Sequence, residues 1–164
     1  TKHLLDKGIK NIAFIGVDKS SANAWGDRYI GYEKALNEAG IPVDEDLVYF
    51  EGLKVKSGYV ASEKFLASGK NFDGIICASD EIAMGAINGL REKGVNTPED
   101  VSVIGFNDNV VASYFYPKLT TVKQPSYDMG SVAMRMLIKI LNNKPLEEAE
   151  FILNHELIER ESCK

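Results

Sequence analysis

Four short apolar segments alternate with stretches of helical periodicity, and this alternation constrains the fold more than any other feature. The predicted strands are residues 11–16, 47–50, 72–78 and 101–106. The predicted helices between them cover residues 25–39, 57–69 and 79–94. Strands that alternate with helices in this way are typical of βαβ units. Because the apolar segments are nearly continuous, we expect an α/β fold with a parallel sheet and helices on both faces.

Small polar residues and glycines mark the ends of these helices. Ser57 is predicted to cap the second helix, and either Ser79 or Asp80 the third. Residues 1–8 read as the tail of a further helix that Gly8 closes. We therefore expect sequence before Thr1.

The pattern changes after Asp108. Tyr114, Phe115 and Tyr116 follow one another, and three such bulky neighbours cannot all point into one core. An amphipathic helix is predicted over residues 127–141, where apolar residues recur at i, i+3 and i+4. Residues 151–160 are predicted to form one or two final strand segments.

Charge and missing motifs argue against several classes of function. A net charge of −5 and a pI of about 5.1 disfavour a nucleic-acid surface in this chain, because phosphate binding needs clustered Lys and Arg. No apolar run approaches the roughly 18–20 residues that cross a bilayer. His3 and His155 lie far apart, and the sequence contains no nucleophile-elbow or phosphate-loop motif. We predict no enzyme, metal, cofactor or membrane partner.

Polar residues cluster where the predicted strands end. They are residues 18–23 with Ser20, Ser21 and Asn23, then Arg28, Ser79, Asp80, Asn107 and Asp108. In an open α/β sheet, ligands bind beyond the carboxyl ends of the strands. Arginine and carboxylate groups can each bond two neighbouring hydroxyls, which favours a polyhydroxylated ligand. Each residue also has a simpler interpretation: Ser79 and Asp80 as helix caps, Asn107 as a turn former, and Arg28 in a surface ion pair.

Several motifs, in order along almost the whole chain, carry a family resemblance. The clearest are TPEDVSVIGFND at 97–108 and LTTVKQP at 119–125, together with SGYVASEKFLA at 57–67 and ELIERES at 156–162. With these motifs the sequence resembles the LacI/GalR family of bacterial transcription regulators. The resemblance implies the periplasmic-binding-protein type I fold and the second half of a two-lobed, effector-binding domain. It also implies a cytoplasmic regulator of repressor type that binds operator DNA only through an N-terminal helix-turn-helix outside this chain.

The resemblance implies three segments. Residues 1–124 would form the C-terminal lobe, residues 125–149 would cross to the N-terminal lobe, and residues 150–164 would return. The DNA-binding domain and most of the N-terminal lobe would lie outside the chain. Without that lobe, we expect the apolar stripe of the helix at 127–141 to pack against another chain or to be disordered.

Effector-binding positions carry over from the family one by one. They are Arg28, Asn107, Ser79 with Asp80 beside it, Leu53 and Gln124. Asn107 stands where members commonly have aspartate, Ser79 where sugar-binding members often have asparagine, and Leu53 where many have an aromatic residue. Asn107 cannot balance the charge of Arg28, and Leu53 offers no stacking face. The implied effector is sugar-like, and its identity is left open.

The resemblance also implies a homodimer. Its predicted interface comprises Ala83, Ile87, Ser113, Tyr114 and Phe115, which would explain the aromatic run. Two alternatives stand beside the regulator: a sugar-binding protein of a transporter with the same fold, and an enzyme on a flavodoxin-like sheet. The motifs at 119–125 and 156–162 favour the regulator over the transporter protein, and no catalytic pair supports the enzyme.

Overall fold

The computed structural model describes residues 1–19 and 23–164. Its helices are α1 (Lys2–Asp6), α2 (Ala24–Glu38), α3 (Val55–Ala67), α4 (Asp80–Glu92) and α5 (Ser126–Leu141). Its strands are β1 (Ile12–Gly16), β2 (Val48–Phe50), β3 (Gly74–Cys77), β4 (Ser102–Asn107), β5 (Thr120–Lys123) and β6 (Glu156–Ile158). No helix in the described ranges has the length and apolar character needed to cross a bilayer.

One six-stranded sheet has the order β2-β1-β3-β4-β5-β6. Strands β1 to β5 pair in parallel, and β6 pairs antiparallel with β5. The chain moves from β1 outward to β2, then back past β1 to β3 and on to β4. Because such crossovers are right-handed, α2 lies on one face of the sheet, and α3 and α4 lie on the other. The predicted α/β fold with helices on both faces is confirmed.

Apolar side chains fill both faces of the central strands. On the α2 face, the Phe14 ring packs against the rings of Tyr29 and Tyr32, with centroids 5.4 and 5.1 Å apart. The buried Tyr32 hydroxyl donates to the Ile12 carbonyl at 2.7 Å, so its polar end is satisfied. These contacts fix α2 against β1, and they thereby place the first turn of α2 at the carboxyl end of the sheet.

Helices α3 and α4 approach each other through glycines. A Cβ at Gly58 would lie 1.9 Å from the Ile82 carbonyl oxygen, and one at Gly85 would lie 1.8 Å from that of Val55. Only glycine permits this approach. The helices form a tight layer that buries most of α4.

Helix α5 has no such layer over it. None of its residues is buried, although apolar residues occupy one face of the helix. Leu137 is 47% and Leu141 is 72% exposed. The strands on either side of α5, β5 and β6, are both part of the sheet, so the chain leaves the sheet and returns to it through this helix.

One local prediction needs correction, and one strand of the sheet was not predicted. Ser57 is not a cap: α3 begins one turn earlier at Val55, and Ser57 is buried inside it. Strand β5 was not predicted, because Thr120, Thr121 and Lys123 give it a polar composition, yet its two threonines are buried. The prediction of one or two strand segments in residues 151–160 is confirmed, since they contain one three-residue strand, β6.

Candidate functional site

Arg28 lies at the carboxyl end of the sheet and touches three elements. Asn23 caps α2 by accepting hydrogen bonds from the backbone N–H groups of Trp25 at 2.9 Å and Gly26 at 3.1 Å, which fixes the first turn. The Arg28 guanidinium carbon is 4.2 Å from the Trp25 ring centroid and 3.9 Å from that of Phe106. Arg28 Nη1 also donates to the carbonyl of Ala78, just after β3.

This placement partly desolvates a cation for which the described part of the chain shows no salt bridge. Burial lowers the pKa of Arg28, and the charge of Asp80 acts in the opposite direction. The two flanking rings stabilise the guanidinium through cation–π contacts. Arg28 is therefore a preorganised donor at the tips of β3 and β4.

Ser79 and Asp80 are next to Arg28 but are turned into the protein. Ser79 is the N-cap of α4 and accepts from the Ile82 N–H at 3.3 Å. The Asp80 carboxylate accepts from the Thr121 hydroxyl at 2.5 Å and from the Asn109 N–H at 2.7 Å. The prediction that both contact an effector is corrected, because both side chains are fully buried and bonded to protein groups.

Burial also affects the charge of Asp80. Desolvation raises the pKa of this carboxyl, and its hydrogen bonds to Thr121 and Asn109 partly offset that rise. The cap interpretation is thus confirmed for Ser79, while Asp80 supports the chain that follows β4.

The turn after β4 has an uncommon backbone. Asn107 and Asp108 have φ values of 112° and 58°, a region that residues with a Cβ seldom occupy. Asp108 accepts from Arg160 Nη2 at 2.6 Å in a mostly buried ion pair. Arg160 Nη1 also donates to the Leu119 carbonyl at 2.7 Å. Arg160, in the C-terminal segment, thus fixes the turn that carries Asn107 through its ion pair with Asp108.

A groove of about 650 Å³ begins at these strand tips and continues down the α2 face of the sheet. Arg28, Phe106 and Gln124 line its part at the tips. Thr1 and His155 line it further along. The structure thus brings Arg28 and Gln124 to one groove, and Asn107 directly follows Phe106 in the chain.

Leu53 occupies a separate part of the same sheet edge. It follows β2 and is 37% exposed. Strands β1 and β3 separate β2 from β4, and three strand spacings correspond to about 14 Å. One ligand can therefore contact both Leu53 and Asn107 only if it spans the distance between these two strands. Ser20 and Ser21 lie outside the described residues.

The predicted interface residues divide into two groups. Ala83 and Ile87 are at most 1% exposed and pack in the chain's own core, so their assignment to a dimer interface is corrected. Tyr114 is 82% exposed, while Phe115 is half-buried against the core and Ser113 is partly exposed. The segment 113–115 thus retains surface for a partner.

Four residues of the site were not predicted from the sequence. Trp25 and Phe106 enclose Arg28, and Thr121 and Arg160 hold the turn after β4. Trp25 stands three residues before Arg28 in a helix, a spacing that places both on one face and that could have identified it. For Thr121 and Arg160, no local signal exists, because their partners are 41 and 52 residues away.

Comparisons with known proteins give the same fold and name a family. A family model described as a periplasmic binding protein-like domain matches residues 1–163. The HTH-type transcriptional regulator RegA of Clostridium saccharobutylicum is 64% identical over 162 residues, which cover 99% of this chain and 49% of RegA. The chain thus spans about half the length of this curated relative.

Solved structures agree with this result. A sugar-binding transcriptional regulator of the LacI family from Escherichia coli, complexed with phosphate, is 33% identical with a TM-score of 0.87, over 98% of this chain and 57% of that one. The transcriptional regulator CelR in complex with cellobiose is also 33% identical, with a TM-score of 0.90, over 98% of this chain and 49% of that one. From its fold and its relatives, this chain belongs to the LacI family of transcription regulators, whose effector-binding part it covers.

Proposed function

We propose that this chain forms the second half of a two-lobed, sugar-sensing domain, and that a sugar-like effector bound at its strand tips changes the affinity of the whole regulator for operator DNA. The observation that carries the proposal is Arg28, held between Trp25 and Phe106 at the end of the groove that Gln124 also lines. A guanidinium fixed in this way can donate to two hydroxyls at small entropic cost.

The groove also provides apolar surface beside that donor. Phe106, Val122 and Leu157 line it, and Gln124 adds an amide that can donate and accept. Sugars present both hydroxyls and apolar C–H faces, so this composition suits them. Two structural relatives support the same class: one is described as a sugar-binding regulator, and the other is complexed with cellobiose.

The exposure of α5 supports the predicted domain arrangement. Residues 1–124 and 150–164 contribute to one sheet, while α5, within residues 125–149, leaves that sheet with its apolar face uncovered. We assign that face to the N-terminal lobe of the whole protein. An effector bound between the lobes would favour one relative orientation, and a dimer would transmit it to DNA-binding heads in the cytoplasm.

A calorimetric binding experiment on the full-length protein tests the sugar site. Cellobiose, glucose and glucose 6-phosphate are the probes. Where the wild type binds one of them, Arg28→Ala is expected to weaken binding at least tenfold, because a desolvated charged hydrogen bond contributes about 1.5–3 kcal/mol. Lys64→Ala is the matched control, since Lys64 lies over the Tyr49 ring at 4.4 Å on an exposed surface away from the groove. Unchanged affinity in Arg28→Ala would remove Arg28 from the site.

We assign the dimer interface to the exposed segment around Tyr114. Val110 and Tyr116 flank it and are also largely exposed, which makes an apolar patch. Tyr114→Asp is expected to convert a dimer to a monomer in light scattering, whereas Lys34→Asp on the outer face of α2 leaves the mass unchanged. A Tyr114→Asp protein that stays dimeric contradicts this assignment.

A further inference from the structure

The turn that carries Asn107 is strained, and its neighbours hold it. Two consecutive residues with side chains, Asn107 and Asp108, adopt positive φ. Glycine would occupy such positions without strain. A strained turn persists when surrounding contacts over-determine it, and strain of this kind concentrates at functional sites.

The buried carboxylate of Asp80 is the centre of those contacts. One of its oxygens accepts from the Asn109 N–H at 2.7 Å, and the other accepts from the Thr121 hydroxyl at 2.5 Å. The Thr121 oxygen in turn accepts from the Asp108 N–H at 3.3 Å. Two successive backbone amides of the turn are therefore fixed, one directly by Asp80 and one through Thr121.

The backbone of β4 accommodates this carboxylate closely. A Cβ at Gly105 would lie 2.4 Å from Asp80 Oδ1, so a side chain there would displace it. The ion pair between Asp108 and Arg160 then holds the turn from a second direction. Thr121 belongs to β5 and Arg160 follows β6, the two strands that flank α5.

We propose that Asp80 is a positioning residue of the effector site: with Thr121 and Arg160 it sets the backbone of Asn107 and joins that turn to both strands that lead to α5. Asp80 is too deeply buried to touch a ligand itself and acts through the turn. The role at the effector site depends on the proposed function. The conformation of the turn does not.

Asp80→Asn tests the proposal with a minimal change of shape. The carboxylate accepts the Asn109 N–H and the Thr121 hydroxyl on its two oxygens, whereas an amide has one oxygen and one NH2 group. The two groups cannot both donate in their present positions, so one of the two hydrogen bonds is lost or reversed, and the charge that strengthens both is removed. We expect amide hydrogen exchange in the segment 107–113 of the full-length protein to accelerate at least tenfold. Asp100→Asn is the matched control, because the Asp100 carboxylate accepts from the Asn96 N–H at 2.8 Å in the turn before β4, at the opposite end of the sheet.

A second pair of variants covers the case in which Asp80→Asn does not fold. Thr121→Val removes the bridging hydroxyl at nearly constant volume, and Thr121→Ser restores it. Faster exchange at 107–113 in Thr121→Val, with recovery in Thr121→Ser, supports the proposal. Exchange that equals the Asp100→Asn control in every folded variant overturns it.

Binding of cellobiose, glucose or glucose 6-phosphate then separates the proposal from the proposed function. If the wild type binds one of these probes, Asp80→Asn or Thr121→Val is expected to weaken binding at least tenfold. Unchanged affinity with faster exchange overturns the positioning role. If the wild type binds none of them, the sugar assignment fails, while the exchange data still decide whether Asp80 fixes the turn.

Discussion

Helices α4 and α5 have equally clear apolar faces, but the apolar face of α4 is buried and that of α5 is exposed. In α4, nine residues are buried beneath α3 and against the sheet, and in α5 none is. Periodicity defines which face of a helix is apolar. It does not determine what lies opposite, and among the described residues no element buries any residue of α5. The difference makes α5 the element that tests the proposed domain arrangement, in which the N-terminal lobe covers its apolar face.

The largest expected effect concerns the glycines of the two helices. Gly85→Val should cost more than about 4 kcal/mol of the free energy of unfolding, because a Cβ there would meet the backbone of α3. In α5, a Cβ at Gly130 meets no atom within 4 Å, so Gly130→Ala should stabilise the chain by about 0.5–1 kcal/mol. Urea unfolding measures both, and equal costs at the two sites would refute the comparison.

Isoleucines give a second, smaller contrast. Ile87→Ala in α4 should cost about 2–4 kcal/mol, since it leaves a cavity in the core. Ile138→Ala in α5 should change the stability of this chain by less than about 0.5 kcal/mol, because the side chain is half exposed.

The same α5 variant in the full-length protein sharpens the comparison. If the N-terminal lobe covers this face, Ile138→Ala should there cost about 2 kcal/mol or more. The same small effect in both proteins would mean that α5 stays uncovered, and the proposed domain arrangement would be wrong.

The smallest expected effect is a pH dependence of the free energy of unfolding, and it arises from the aspartates in the first turns of the two helices. Burial raises the pKa of Asp80 in α4, so the native state binds a proton more readily than the unfolded chain. Stability relative to the non-titrating Asp80→Asn variant should therefore fall as the pH rises from about 4 through the raised pKa. Urea unfolding between pH 4 and pH 7 measures this difference, and one that grows with pH would reverse the sign assigned here.

Asp128 provides the control in α5. It occupies the first turn of that helix and is exposed. Asp128→Asn should change the free energy of unfolding at neutral pH by no more than about 0.5 kcal/mol. A larger cost would show that the first turn of α5 has a packed environment in this chain.

The fold was predictable where local pattern and burial coincide. The first four strands and the helices between them follow from apolar runs and helix ends, and the structure places their bounds within a few residues. The local pattern did not predict β5, because threonines are usually exposed. Both are buried here since their hydroxyls have partners: that of Thr121 donates to Asp80, and that of Thr120 accepts from the backbone of Arg160. Those bonds join residues about 40 positions apart, which no local window detects.

The site was predictable only in part, for a chemical reason. Residues that cap helices and residues that bind sugars belong to the same types, so Ser79 and Asp80 fitted both interpretations. Burial decides between them, and burial is a property of the assembled sheet. Arg28 could be identified because its position at the strand ends suffices to bring it to the groove. Gln124, which lines the same groove, was predicted from the family resemblance alone, since the strand that it follows was not predicted.

The glycine contact between α3 and α4 has a mechanical consequence. Where backbone meets backbone, no side chain can change rotamer to absorb a displacement, so the two helices and the strands beneath them should move as one unit. Changes of shape would then concentrate beyond β5, where the chain turns toward α5. A probe pair that spans α3 and α4 should report a constant distance, while a pair that spans β4 and α5 should report any motion that the protein makes.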